Sequence, residues 1–158
     1  MTDINTDEYF MGEALKQAKL SYSKDEVPIG AIVVYQNKII AKAHNLSITN
    51  HDPSAHAEII AIRNAGIYLK NYRLLNCSIY VTLEPCLMCL GTIFSSRIKN
   101  LFFGAYDSKT GACESAINLK NNKSLNHHCT IRGGILEQKS KALLQDFFKG
   151  KRQKKTVR

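Results

Sequence analysis

Cys77-Ser78-Ile79-Tyr80-Val81-Thr82-Leu83-Glu84-Pro85-Cys86-Leu87-Met88-Cys89 runs from an apolar segment straight into a pair of cysteines. Cys77–Leu83 has the residue types of a buried strand. Pro85 suits the first position of a helix, and it holds Glu84 extended, so the strand must end there. Cys86 and Cys89 then fall at i and i+3, on one face of the first turn of a short helix running to Ser95. The partial positive charge of that helix start favours thiolates and readies them for a metal. A strand thus hands two thiols to a helix N-terminus.

The flanks extend the pattern. Upstream, Ala31–Tyr35 and Ile39–His44 are two strands joined by the turn Gln36-Asn37-Lys38, a hairpin. Before them, Thr6 or Asp7 can cap a helix whose apolar stripe is Phe10, Met11, Ala14, Leu15 and Ala18, broken by Val27-Pro28-Ile29-Gly30. The polar stretch Asn45–Pro53 lacks periodicity and reads as a loop, where function often resides. Ser54 or His56 opens a second helix through Ile59, Ile60, Ile62 and Arg63, ending near Gly66. Downstream, Leu101–Ala105 is a strand, a long polar segment reaches His128, Cys129–Arg132 is a short strand, and a last helix covers Leu136–Phe148. Strands alternating with helices imply one α/β sheet covered on both faces.

The whole chain has 158 residues, 44% of them hydrophobic and 22% charged, the balance of a globular domain and not of a disordered or fibrous chain. We read a single domain over residues 1–150 followed by a basic tail over 151–158. No apolar run exceeds the five residues of Ala31–Tyr35, far short of the ~20 residues needed to cross a bilayer. The acidic N-terminus resembles no export or organellar signal, so the expected location is cytoplasmic. Net charge is +9, and most of it lies between Lys139 and Arg158, where eight basic residues face one acid, Asp146. Such a segment attracts polyanions such as nucleic acid, or else merely solvates a frayed terminus. Five cysteines without an export signal argue against a disulfide framework. Cys77, Cys113 and Cys129 read as small apolar fillers.

One constellation carries chemistry. His56-Ala57-Glu58 and Pro85-Cys86-Leu87-Met88-Cys89 together read H-x-E and P-C-x-x-C. His56, Cys86 and Cys89 supply three ligands, the count of a catalytic zinc with one position left for water. A structural site would want a fourth ligand at similar spacing, and His44, His51, His127 and His128 show no such partner. His56 and Glu58 would point apart inside a regular helix, so both face one metal only if His56 sits at its threshold. Two thiolates neutralise Zn²⁺, which leaves the water a weaker acid than on a three-histidine zinc and calls for a base beside it. Glu58 is therefore expected to shuttle protons and not to ligate.

These motifs, with Glu26–Ala31, His51–Glu58, Asn71–Leu74, Tyr80–Cys86, Ser96–Ile98, Phe103–Gly111, Asn126-His127 and Gly134 to Phe148, resemble the bacterial tRNA-specific adenosine deaminase family over roughly Glu8 to Arg152. The resemblance implies a three-layer α/β/α cytidine-deaminase-like fold with a five-stranded mixed sheet. It also implies a homodimer with one Zn²⁺ per subunit that converts adenosine to inosine at the wobble position of a tRNA, the arginine acceptor in bacteria. By position, Asn45 would hydrogen-bond the flipped base and Val27 and Ala55 would wall its pocket. Asp107, Lys109 and Phe148 would lie near the RNA, with Phe147 packed beneath. This chain differs from the family pattern in its lysine-rich tail and its extra cysteines. Two other readings compete: a deaminase of free cytosine or guanine, which has no need of a basic terminus, and a nucleic-acid-binding module with a structural zinc, which has no need of Glu58.

Overall fold

A computed structural model describes residues 4–125 and 129–157; Asn126, His127, His128 and Arg158 lie outside the described residues. The elements are α1 (Ile4–Ser23), β1 (Gly30–Tyr35), β2 (Lys38–His44), α2 (Ala57–Leu69), β3 (Cys77–Leu83), α3 (Leu87–Ser95), β4 (Asn100–Ala105), β5 (Thr130–Arg132) and α4 (Glu137–Val157). The sheet order is β2-β1-β3-β4-β5. β1 pairs antiparallel with β2 and β3, whereas β4 pairs parallel with β3 and β5, so the sheet is mixed.

Side chains alternate across the pleat, and both faces are apolar because both are covered. Ala31, Val33, Ile79, Val81, Leu101 and Phe103 point to the face where α2 and α3 bring Ala61, Ile62, Leu90 and Ile93. Ile32, Val34, Tyr80 and Phe102 point the other way, onto Phe10, Met11 and Ala14 of α1. α4 lies against β4 beside α1, and Tyr22 of α1 meets Phe147 of α4 ring to ring at 5.6 Å. The result is the expected three-layer α/β/α sandwich. Gly30 permits the close approach of α1, since a Cβ there would sit 2.0 Å from the Ala14 carbonyl oxygen.

Several local expectations need correction. Asp7 does not cap α1; it lies inside the helix at 1% exposure, accepts the Tyr80 hydroxyl at 2.6 Å and pairs with Arg132. A buried carboxylate requires such partners, and these bind α1 to β3 and β5. α1 ends at Ser23, before the Pro28 segment. α2 runs through Gly66 to Leu69 and stops where Lys70 turns left-handed, because one helical glycine costs only about 1 kcal/mol. Pro85 lies one residue before the α3 cap and not inside the helix. α4 continues past Phe148 to Val157, so residues 151–157 are helical and not a loose tail. Lysine, arginine and glutamine are good helix formers, and no proline interrupts them.

Candidate active site

The parallel strands β3 and β4 end on one side of the sheet, and crevices at such carboxyl ends are where α/β folds bind ligands. Here the starts of α2 and α3 converge. His56 is the N-cap residue of α2, with φ −75° and ψ 151°, which places it at the helix threshold as expected. Cys86 is likewise the N-cap of α3, with φ −75° and ψ 174°, and Cys89 sits in the first turn. Neither side chain makes a capping hydrogen bond, and both line the crevice. Asn45 does the capping for α2 instead: its Oδ1 accepts the Ala57 N–H at 2.8 Å. Its backbone is fixed too, with the N–H on the Ile29 carbonyl at 3.1 Å and the carbonyl under the Ser21 hydroxyl at 3.0 Å.

His56 Nδ1 lies 3.7 Å from Cys86 Sγ and 3.4 Å from Cys89 Sγ. A tetrahedral zinc with Zn–S near 2.3 Å and Zn–N near 2.1 Å separates such ligand atoms by about 3.6 Å, so the donor set fits the metal. Among the described residues, these three form the one group of histidine, cysteine and carboxylate side chains able to hold an ion. Cys89 and the burial of the site act on Cys86 in opposite senses; with His56 also beside it, the Cys86 thiol is held down to about 4. Cys89 is pushed up by its bond to Cys86 and by burial. Glu58, in the first turn of α2, is 4% exposed, and burial raises its carboxyl above the ordinary range.

Above this floor opens a cavity of about 520 Å³. Of the expected binding residues, Val27, Asn45, Asp107, Lys109 and Phe148 line it, together with His56, Glu58 and Cys86. Cys89 and Ala55 do not. Ala55 is 2% exposed behind the wall, where its backbone bonds Leu46 and Asp52. Phe147 is packed at 6% exposure while Phe148 is 44% exposed at the cavity mouth, as expected. The sequence reading missed Glu84, Tyr106 and Leu144, which also line the cavity. The one signal that could have found Glu84 is its position directly ahead of the Pro85-Cys86 turn.

Cys77 and Cys113 are fully buried, and Cys129 is partly so. Burial pushes the Cys77 thiol up to about 11 and the Cys129 thiol up to about 12, fitting inert fillers.

Residues 4–105 match the family model for the cytidine and deoxycytidylate deaminase zinc-binding region. A tRNA-specific adenosine deaminase from Buchnera aphidicola subsp. Baizongia pistaciae is 48% identical over 94% of this chain and 91% of its own length. One from Haemophilus influenzae is 45% identical over 96% of this chain and 88% of its own. The chain belongs to the tRNA-specific adenosine deaminase family. A solved structure from work on A-to-I editing by tRNA:A34 deaminases at the wobble position superimposes with a TM-score of 0.83 at 40% identity, covering 86% of this chain and 99% of that one. The matched family region is described as zinc-binding, and His56, Cys86 and Cys89 form a group that could hold such an ion.

Proposed function

We propose that this protein hydrolyses adenosine to inosine at the wobble position of a tRNA, releasing ammonia. The observation that carries the reading is identity of 45–48% to tRNA-specific adenosine deaminases along at least 94% of the chain. The geometry supports it: three zinc donors and one buried carboxylate under a cavity whose mouth holds an exposed phenylalanine and a lysine. Zinc, when held there, supplies the Lewis acidity that makes water a nucleophile at neutral pH.

Glu58 takes the proton of the attacking water as the new C–O bond forms at C6, and passes it to N1 of adenine. Glu58 then takes the remaining proton of the new C6 hydroxyl as the C6 carbonyl forms, and gives it to the exocyclic amino group as the C6–N bond breaks and ammonia departs. Burial suits this work, since a carboxyl held above its ordinary range keeps a proton between transfers. His56, Cys86 and Cys89 are the zinc ligands in this reading. Asn45 holds the base, with Oδ1 already engaged by Ala57 and the amide nitrogen left to donate. Val27 and Ala55 shape the pocket from its wall and from behind it. Asp107, Lys109 and Phe148 meet the RNA. Flipping the base from its stack costs a few kcal/mol and is cheapest in a loop such as an anticodon.

The arginine tRNA is the proposed substrate, and a cytoplasmic homodimer the proposed working form. Among the described residues no helix is long and apolar enough to cross a membrane. Exposed Ile67 and Tyr72 on a groove at the end of α2, with Leu87 and Met88 at the start of α3, supply apolar surface for a second copy. Zinc-loaded protein incubated with total tRNA, adenosine, cytosine and guanine tests the activity by mass. Inosine confined to tRNA is the expected result; xanthine or uracil from the free bases would transfer the reading to a free-base deaminase. Light scattering tests the dimer.

A further inference from the structure

At the end of β3 the Glu84 carboxylate is 2% exposed, and five donors from one distant loop close on it. Oε1 accepts the Asp107 N–H at 3.0 Å and the Ser115 hydroxyl. Oε2 accepts the N–H groups of Cys113, Glu114 and Ser115 at 3.1, 2.9 and 3.1 Å. The same loop docks on the next residue, since the Ala112 N–H donates to the Pro85 carbonyl at 2.9 Å. Cys86, a zinc donor, follows directly.

The loop is braced from within as well. Asp107 Oδ1 accepts the N–H groups of Lys109 and Thr110 at 3.0 and 3.2 Å, and Oδ2 accepts the Thr110 hydroxyl at 2.7 Å. Both oxygens of Asp107 are therefore engaged inside the loop, while its N–H hangs on Glu84. Gly111 covers the junction: a Cβ there would lie 2.4 Å from Glu84 Cδ and 2.5 Å from the Asp107 carbonyl oxygen. A carboxylate without a cationic partner is tolerable in such a place only when hydrogen bonds saturate it. Glu84 and residues 106–110 all line the cavity above the metal cluster.

We propose that Glu84 is a positioning residue for the RNA substrate: it sets the separation between the cavity rim at 107–110 and the zinc-binding turn at Pro85-Cys86. The inference rests on the tRNA reading above. Proton transfer at Glu58 does not pass through Glu84, so disturbing it changes where a large substrate sits and not how the bond breaks.

Glu84→Gln has the same shape but must turn an NH₂ toward donors. Placed at Oε2 it would oppose three N–H groups; placed at Oε1 it opposes one, from Asp107, while the Ser115 hydroxyl can rotate to accept it. The second arrangement wins, freeing Asp107 and leaving residues 113–115 attached. The KM for tRNA should then rise about tenfold, the loss expected of one charge-assisted hydrogen bond, with kcat and one zinc per chain retained. Thr110→Val loosens Asp107 from its other side without touching Glu84 or the zinc turn, and should raise KM in the same direction. A zinc-loaded Glu84→Gln protein with wild-type KM overturns the inference, as does loss of zinc with unchanged KM in the loaded fraction, which marks a merely structural group. If Glu84→Gln fails to fold, Thr110→Val decides alone, and an unchanged KM overturns the inference. Wild-type protein run alongside separates the two failures: inactivity on tRNA sinks the substrate reading, whereas an active wild type with unmoved variants sinks only the role of Glu84.

Discussion

Around His56, Cys86, Cys89 and Glu58, two helix starts are clamped into the sheet, and Cys89 and Glu58 are at most 4% exposed. The outer half of α4 is the reverse. Lys149, Arg152 and Lys155 are exposed there, and the contacts that hold this half run to the end of α1. Tyr22 donates to Asp146 at 2.5 Å, and Lys151 pairs with Asp25 at 2.6 Å while lying over the Phe147 ring. The buried region holds its groups between packed elements, which suits bond-making. The exposed one presents solvent-facing charge, which suits a phosphate backbone whose attraction is long-ranged and tolerant of position. Damage to the first should therefore abolish turnover, and damage to the second should only weaken binding.

The sharpest break of that contrast is at the metal. Cys86→Ala removes one of three donors, so zinc content should fall well below one per chain and inosine formation should drop to background. Metal analysis beside the tRNA assay measures both; undiminished zinc would remove Cys86 from the ligand set. Glu58→Ala should come next. It touches no donor, so zinc content and tRNA affinity should persist while turnover falls at least ~10²–10⁴-fold, the range for a general acid–base group. A variant keeping a tenth of the rate would show that the proton passes elsewhere.

Another buried carboxylate is Glu26, 2% exposed beside the Asn45–Pro53 loop. It accepts the Ile48 N–H at 3.1 Å and both the N–H and the hydroxyl of Thr49 at 2.6 Å. Burial pushes its carboxyl up, but the bonds from Thr49 and Ile48 outweigh that and hold it below the ordinary value. A depressed carboxyl contributes stability above its unfolded value, about 4.3, and loses it as pH falls through the folded value. Glu26→Gln should cost about 1–3 kcal/mol at neutral pH, and the gap between variant and wild type should close on acidification below pH ~4.3. Melting curves from pH 7 down to 3 check this; a gap that widens in acid would reverse the sign.

The floor was legible because its chemistry is written in short spacings. H-x-E and P-C-x-x-C sit at element starts, and the turn Gln36-Asn37-Lys38 marks the hairpin locally. Glu84 was not legible as a site residue because its donors lie 23 to 31 residues away and four of the five are backbone N–H groups, which carry no residue identity. Asp7 misled for a related reason. An acid near a helix start has the look of a cap, and only the packed fold brings Tyr80 and Arg132 to it from residues 73 and 125 positions away. The length of α4 was missed because its apolar stripe ends at Phe147, whereas propensity and the contacts of Tyr22 with Phe147 and of Asp25 with Lys151 carry the helix onward.

The smallest effect expected is at the end of α4, and the structure redistributes the charges that matter there. Lys151 is already paired with Asp25, and Lys154 lines the groove between α1 and α4 beside it, so neither is well placed to leave for a phosphate. Lys149 and Lys155 are exposed on the helix flank. Each phosphate deprived of its lysine lowers the slope of log K against log[salt] by ~0.7–0.9. Lys149→Gln with Lys155→Gln should thus flatten the slope for tRNA by roughly 1.4–1.8, with affinity falling most at low salt, where screening is weakest. Lys151→Gln should change the slope far less, because it removes a charge whose field Asp25 already cancels. Zinc content and kcat at saturating tRNA should stay at wild-type values in all three substitutions. Binding isotherms at several salt concentrations separate the cases. Equal slopes for the double variant and wild type would reduce the end of α4 to a solvated helix, and recognition would then rest on the cavity rim at Asp107, Lys109 and Phe148.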